Sequence, residues 1–167
     1  MHPDIQKRFD DLETRRKALV DRVRSMPSEK QKQPGPSKGF SPLETVMHFA
    51  IAEAGNNQFL KKAPPSTLTG RKVKHGFAFG GTMKGMAEPS KQMFSPPMFV
   101  PKGTFTVDEA DKAWEAARKE LGSYLEQAKN PDDAFIKMMF LFGTLSASDY
   151  IAFTEAHMSY HEARVRK

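Results

Sequence analysis

The chain of 167 residues contains no cysteine. That absence excludes disulfide bonds, thiolate zinc sites and a cysteine nucleophile. The strong metal ligands that remain are histidine nitrogens and carboxylate oxygens, and the sequence has five histidines. Any transition-metal site in this protein must therefore be built from nitrogen and oxygen ligands.

Long apolar runs are also missing. No stretch approaches the roughly 18 apolar residues that suggest a membrane-spanning helix. The N-terminal MHPDIQKRFDDLETRRKAL is charged throughout and lacks the apolar region of a signal peptide. We therefore expect a cytoplasmic protein that does not enter a membrane. The length and the apolar fraction of 38% fit one globular domain, which we assign to residues 1–167.

The net charge of +6 is concentrated in one part of the chain. Residues 61–102 hold eight lysines and arginines against a single acid, Glu88, which gives this segment +7 and leaves −1 for the rest. A local surplus of positive charge raises the hypothesis of nucleic-acid binding. The segment has no recognised nucleic-acid-binding motif, however, and its aromatic residues are plausible packing residues. We therefore do not expect a nucleic-acid partner.

Four segments have the apolar spacing of amphipathic helices. The first places its apolar residues three, four and seven positions apart between Ile5 and Met26, before the polar stretch MPSEKQKQPGPSKG. Each later helix is preceded by a capping residue with an acid three positions on. These pairs are Ser41 with Glu44, Thr106 with Glu109, and Ser146 with Asp149. No convincing strand pattern is found, so the predicted fold is all-α: a four-helix bundle with a long ordered loop between the second and third main helices.

That long loop, residues 63–102, is rich in Pro, Gly and Lys and shows no sustained helical or strand period. Its scattered Phe and Met residues argue against a free linker, because disordered segments are poor in such side chains. We call residues 63–102 the cover. We expect the cover to fold over the mouth of a metal site and to favour anionic substrates through its positive charge; the alternative is a loop that only packs and aids solubility.

The histidines suggest where a metal ion could bind. His157 and His161 lie one helical turn apart near the end of the last predicted helix, so their imidazoles leave the same face. In a bundle the second and last helices can be neighbours, and His48 on the second could then supply a third nitrogen ligand. The alternative is an exposed pair that interacts only with the helix dipole. We assign no metal-binding role to His2 or His75.

Three segments of the sequence resemble segments of a known family. FSPLETVMHFAIAE and FGTLSASDYIAFTEAHMSYHEARVRK are similar to the two signature regions of the DinB/YfiT-like superfamily, and MFSPPMFVPKG is similar to a loop of one branch of it. The resemblance implies a four-helix bundle, often a homodimer, with a divalent metal, usually nickel or zinc, held by His48, His157 and His161. Many members carry a histidine directly before the last ligand and a glutamine three residues after it, where this chain has Tyr160 and Arg164.

The resemblance and the ligand pattern together predict a metal-dependent enzyme that acts on a small molecule, as a hydrolase or a thiol S-transferase. A divalent ion with an open coordination position can activate water or a thiol as a Lewis acid. Tyr160 beside His161 and Glu53 near His48 are the acid–base candidates, and Arg164 is the candidate for contact with an anionic substrate. The alternative is a non-catalytic helical-bundle binding protein that retains the family fold.

Overall fold

The computed structural model describes residues 1–35, 39–138 and 141–165, and these are mostly helical with a small sheet. Positions 36–38 of the predicted polar loop, 139–140 of the apolar stretch expected before the last helix, and 166–167 lie outside the described residues. The helices are α1 (Pro3–Ser25), α2 (Ser28–Lys32), α3 (Pro42–Lys62), α4 (Pro65–Leu68), α5 (Phe77–Met86), α6 (Val107–Leu125) and α7 (Ala147–Val165). The strands are β1 (Lys74–His75), β2 (Ala134–Lys137) and β3 (Gly143–Ser146), and residues Pro97–Phe99 form a 3-10 turn.

The three predicted helix starts are confirmed. Capping boxes with bonds in both directions precede α3 and α6. Before α7, the backbone N–H of Ser146 donates to the Asp149 carboxylate and the Asp149 N–H donates to the Ser146 hydroxyl. Each box satisfies N–H groups that would otherwise have no partner at a helix start, which is why the pattern is readable in the sequence.

The prediction that the chain has no strand is wrong. The strands form an antiparallel sheet in the order β1-β3-β2, with an irregularity in the pairing of β2 and β3 between Ala134 and Ile136. Strands of two to four residues are too short for a period to be visible. Their pairing also depends on a contact distant in sequence, since β1 lies in the cover and pairs with β3 directly before α7.

The expected absence of regular structure in the cover is wrong as well. The cover contains α4, β1, α5 and the 3-10 turn. Helix α5 was not predicted because its sequence, FAFGGTMKGM, contains three glycines, which lower intrinsic helix propensity. Helix α2 likewise interrupts the stretch expected to be a polar loop, and none of its residues is buried.

Aromatic stacking and ion pairs join the long helices around the apolar core. Between α3 and α6, Phe49 stacks on Trp114 with ring centroids 4.6 Å apart. Helix α1 is joined to α6 by the ion pair of Arg16 with Asp111, and to α7 by that of Arg15 with Glu162 at 3.0 Å. Among the described residues, no helix is long and apolar enough to cross a membrane.

Candidate metal centre

Three histidines from two helices converge at one point. His48 leaves α3, and His157 and His161 leave α7 one turn apart; one ring nitrogen from each lies within 4.8 Å of the others. We call these three residues the histidine cluster. His48 and His161 are buried, whereas His157 is partly exposed to a cavity. The structure thus brings together the three residues that the sequence singled out.

A backbone contact fixes the tautomer of His48. Its Nδ1 lies 2.8 Å from the carbonyl oxygen of Phe99 in the cover. A carbonyl only accepts, so Nδ1 carries the proton and, in the neutral ring, Nε2 presents its lone pair. That Nε2 lies 3.1 Å from Nε2 of His157. Metal-binding histidines are commonly oriented by such a bond from the second ring nitrogen.

The spacing of these nitrogens suits a shared ion. With metal–nitrogen bonds of about 2.0 to 2.1 Å, two ligands at a tetrahedral angle lie roughly 3.3 to 3.4 Å apart, and at a right angle roughly 2.9 Å. The observed 3.1 Å between His48 and His157 falls between these values. The histidine cluster could therefore hold a metal ion.

Burial keeps the three imidazoles neutral, which is the protonation state that binds metal. Burial lowers the pKa of His48, although its bond to the Phe99 carbonyl acts in the opposite direction. Burial and then the neighbouring His48 lower the pKa of His157 to about 3. For His161 burial again lowers the pKa most, followed by His157, His48 and Arg164.

Aromatic rings surround the cluster and fix its orientation. Phe40, just before the α3 cap, packs on His48 with centroids 4.8 Å apart and is stacked with His161 at 6.1 Å. On the other side Phe49 lies edge-on to His157 and His161, at 5.0 and 5.3 Å. Phe40 and the carbonyl of Phe99 are functional elements that the sequence reasoning missed. The position of Phe40 before a capping box was a possible signal, whereas no sequence pattern marks a single backbone carbonyl.

A cavity of about 490 Å³ opens beside the cluster. All three histidines line it, and the cover forms much of its wall through residues between Ala78 and Val100. Phe94 and Val100 line the cavity and are also exposed, so they lie at its rim. The expected position of the cover beside the three histidines is therefore confirmed, whereas its role over a metal site stays a prediction. The cations Arg71, Lys72 and Lys74 are exposed and do not line the cavity.

Tyr160 and Arg164 both line the cavity and both also bind the cover. The Tyr160 hydroxyl donates to the Lys91 carbonyl and accepts from the Met93 N–H, each at 2.9 Å. Arg164 donates to the Pro89 carbonyl at 3.0 Å, and its guanidinium lies 5.3 Å from the centroid of the Tyr160 ring. These contacts give Tyr160 and Arg164 a joint role in anchoring the cover to α7.

Glu53 is not brought to the cavity. Its carboxylate accepts from Trp114 Nε1 and from Arg118 Nε, each at 2.9 Å, and pairs again with Arg118 Nη2. Glu53 and Arg118 expose only 4% and 2% of their surfaces. The structure thus places this acid–base candidate in a buried ion pair between α3 and α6.

The two histidines left out of the predicted site are also outside the cluster. His75 lies on β1, where Nε2 is 2.9 Å from the Asp149 carboxylate. His2 caps the start of α1, where its Nδ1 accepts from the Asp4 N–H. Glu44 belongs to the α3 capping box, as its pairing with Ser41 in the sequence predicted.

Comparison with known proteins gives no match: no protein-family model, no curated protein and no solved structure is similar to the chain. The histidine cluster and its cavity are therefore the features of the molecule that point to a function.

Proposed function

We propose that this protein is a metal-dependent enzyme of the DinB/YfiT-like type, acting on a small molecule as a hydrolase or a thiol S-transferase. The observation that carries the proposal is the convergence of three imidazoles from α3 and α7, with ligand atoms within 4.8 Å, at the wall of a cavity. Three protein ligands leave coordination positions open for water or substrate, as is usual at catalytic sites. The four long helices, α1, α3, α6 and α7, would form the bundle of that family.

The chain's own residues would prepare the site in three ways. The Phe99 carbonyl holds the His48 ring with Nε2 directed at the cluster. Phe40 and Phe49 restrict the histidine rings from opposite sides. The cover limits access of water, which strengthens electrostatic interactions inside the cavity. A bound divalent ion, for which we propose nickel or zinc, would supply Lewis acidity toward a water or a thiol.

The second candidate function is a non-catalytic binding protein. It is favoured by the lack of an Asp or Glu among the described residues that line the cavity, and by the Tyr160 hydroxyl being occupied by two backbone groups. A hydrolase usually needs a group that moves protons. The test is turnover of thiol or ester substrates. If turnover stops when a chelator removes the metal and returns when metal is added, the protein is an enzyme and not a non-catalytic binding protein.

The first prediction concerns metal content. Protein purified without a histidine tag should retain about one divalent ion per chain after desalting, measured by mass spectrometry. His157→Ala and His161→Ala should lose most of it, because two remaining imidazoles bind far more weakly than three. His75→Ala is the matched control, since His75 lies outside the cluster. Equal metal in the parent and in both cluster variants would refute the ligand set.

A further inference from the structure

The lining of the cavity differs from that of a site for a highly charged substrate. Aromatic and aliphatic side chains come from the cover, from α3 and α7 and from the segment between β2 and β3. Examples from these sources are Phe59, Met86, Met93, Phe99, Phe142 and Phe153. Among the described lining residues Arg164 is the one arginine or lysine, and it already donates to the Pro89 carbonyl. A substrate with several charges would lose its hydration here without enough compensating partners.

The size of the cavity sets the size of the ligand. An apolar cavity of about 150 Å³ holds a benzene molecule, and the volume here is about 490 Å³. Pockets of roughly 300 to 1,000 Å³ take drug-sized molecules. The space is therefore larger than water, a metal ion and a small thiol require.

The lining of the cavity contains polar side chains, but they are few. Ser95 in the cover lines the cavity, and its buried Oγ has no hydrogen-bond partner in the part of the chain that the structure describes. Asn56 and Thr45 on α3 line the cavity as well. A buried hydroxyl without a partner is uncommon in proteins and points to a group that a ligand could satisfy. The arrangement fits one polar head and a long apolar body.

We propose that the cavity binds the apolar body of an amphiphilic small molecule, an aliphatic chain or a fused aromatic system, whose single polar head reaches the histidine cluster. The position of the head rests on the proposed function, whereas the binding of the apolar body does not. The expectation that the basic cover selects anionic substrates stays a separate prediction, because its exposed Arg71, Lys72 and Lys74 lie away from the lining and do not contact a ligand bound there.

The test is a chain-length series measured by calorimetry on the full chain, both metal-free and zinc-loaded. The probes are hexanoate, octanoate and decanoate, with the corresponding alcohols to separate the head from the body. Each added methylene should tighten binding about threefold to fourfold while the cavity has room, so each step of two should give roughly tenfold. The heat capacity change should be negative and should grow with chain length.

Cavity-filling variants locate the binding site. Ala78 and Thr82 line the cavity from α5, one turn apart, so Ala78→Phe and Thr82→Phe should each weaken decanoate binding at least tenfold. Having two such variants guards against the failure of one to fold, which circular dichroism would reveal. Ala87→Phe is the matched control, because Ala87 ends the same helix, is exposed and lies outside the lining. Its affinity should equal that of the parent.

The outcomes separate this inference from the proposed function. Binding affinity could increase with chain length in metal-free protein and in His157→Ala while the parent retains no metal. That result would support the apolar site and reject the metal enzyme. Metal retention with affinities that do not change with chain length would leave the metal centre and overturn the apolar site. Equal decanoate affinity in the parent and in a folded Ala78→Phe or Thr82→Phe protein would also overturn it.

Discussion

At the scale of the residue, Glu53 shows why proximity along a helix is a poor guide to a shared site. Five positions separate it from His48, and five steps of 100° place the two side chains about 140° apart around α3. His48 accordingly faces α7 and the cover, whereas Glu53 faces α6 and pairs with Arg118. The same helix thus contributes one side chain to the histidine cluster and another to the interior.

We predict that Glu53→Gln lowers the free energy of unfolding by about 3 to 5 kcal/mol, because it leaves the Arg118 guanidinium buried without an opposite charge. Urea denaturation measures the change. Metal content should stay at the parent value, since Glu53 does not line the cavity.

Two controls sharpen this prediction. Glu155→Gln breaks the more exposed pair with Arg8 and should cost less than about 1 kcal/mol. Replacing both Glu53 and Arg118 by Met should recover much of the loss, because no unpaired charge is left behind. A stable Glu53→Gln protein whose turnover is lost would instead assign Glu53 to catalysis.

At the scale of the element, the sequence predicted what local chemistry specifies. The capping pairs located the starts of α3, α6 and α7 because the bonds that satisfy a helix start join residues three positions apart. The pairing of β1 with β3 joins residues about 70 positions apart, and no local pattern encodes it. Gly143 illustrates this dependence: its φ of 82° favours glycine, and a Cβ there would lie 2.1 Å from the Lys74 carbonyl oxygen.

The candidate site also has a part that the sequence predicted and a part that depends on tertiary packing. The four-residue spacing of His157 and His161 gave a shared face on one helix, and the expected meeting of the second and last helices added His48. The wall opposite α3 and α7 depends on how the cover folds, and neither the Phe99 carbonyl nor the exposed position of the cover's lysines could be read from composition. Residue type and spacing therefore predicted which three histidines come together, whereas tertiary packing determined what surrounds them.

The Tyr160 hydroxyl joins α7 to the cover through two hydrogen bonds, so we predict that Tyr160→Phe loosens the cover. The variant keeps the ring but removes the hydroxyl that joins Lys91 and Met93. Loss of these two hydrogen bonds should cost about 1 to 3 kcal/mol locally. Amide hydrogen exchange in residues 87–102 should therefore become about tenfold faster, with α1 and α6 unchanged.

Tyr124→Phe is the matched control, because Tyr124 lies on α6, packs against the core and does not line the cavity. Decanoate affinity should fall in Tyr160→Phe and stay constant in Tyr124→Phe. Unchanged exchange in Tyr160→Phe would mean that packing alone holds the cover in place.

At the scale of the whole molecule, the positive charge of the cover is separated from the apolar lining of the cavity. The surplus positive charge of residues 61–102 faces outward, while the inner side of the cover lines an apolar cavity. Charge at this distance acts through solvent and is screened within about 10 Å at 0.1 M salt. The basic surface can therefore influence how partners or ligands approach, but the contacts inside the cavity determine which ligand stays bound.

Large apolar side chains are also exposed on the cover, one of them at the cavity rim, and we predict that they contribute to a homodimer, the assembly that the family resemblance implies. Phe94 exposes 84% of its surface and Met98 64%, and such side chains are favoured at interfaces because their burial removes apolar area from water. Sedimentation at micromolar concentration should give twice the chain mass of 18.8 kDa, and Phe94→Ser with Met98→Ser should shift the protein toward the monomer.

A parent protein that sediments only at 18.8 kDa would contradict the dimer. A dimer that persists in the double variant would place the interface elsewhere, because losing two large apolar contacts from a small interface should weaken association at least tenfold.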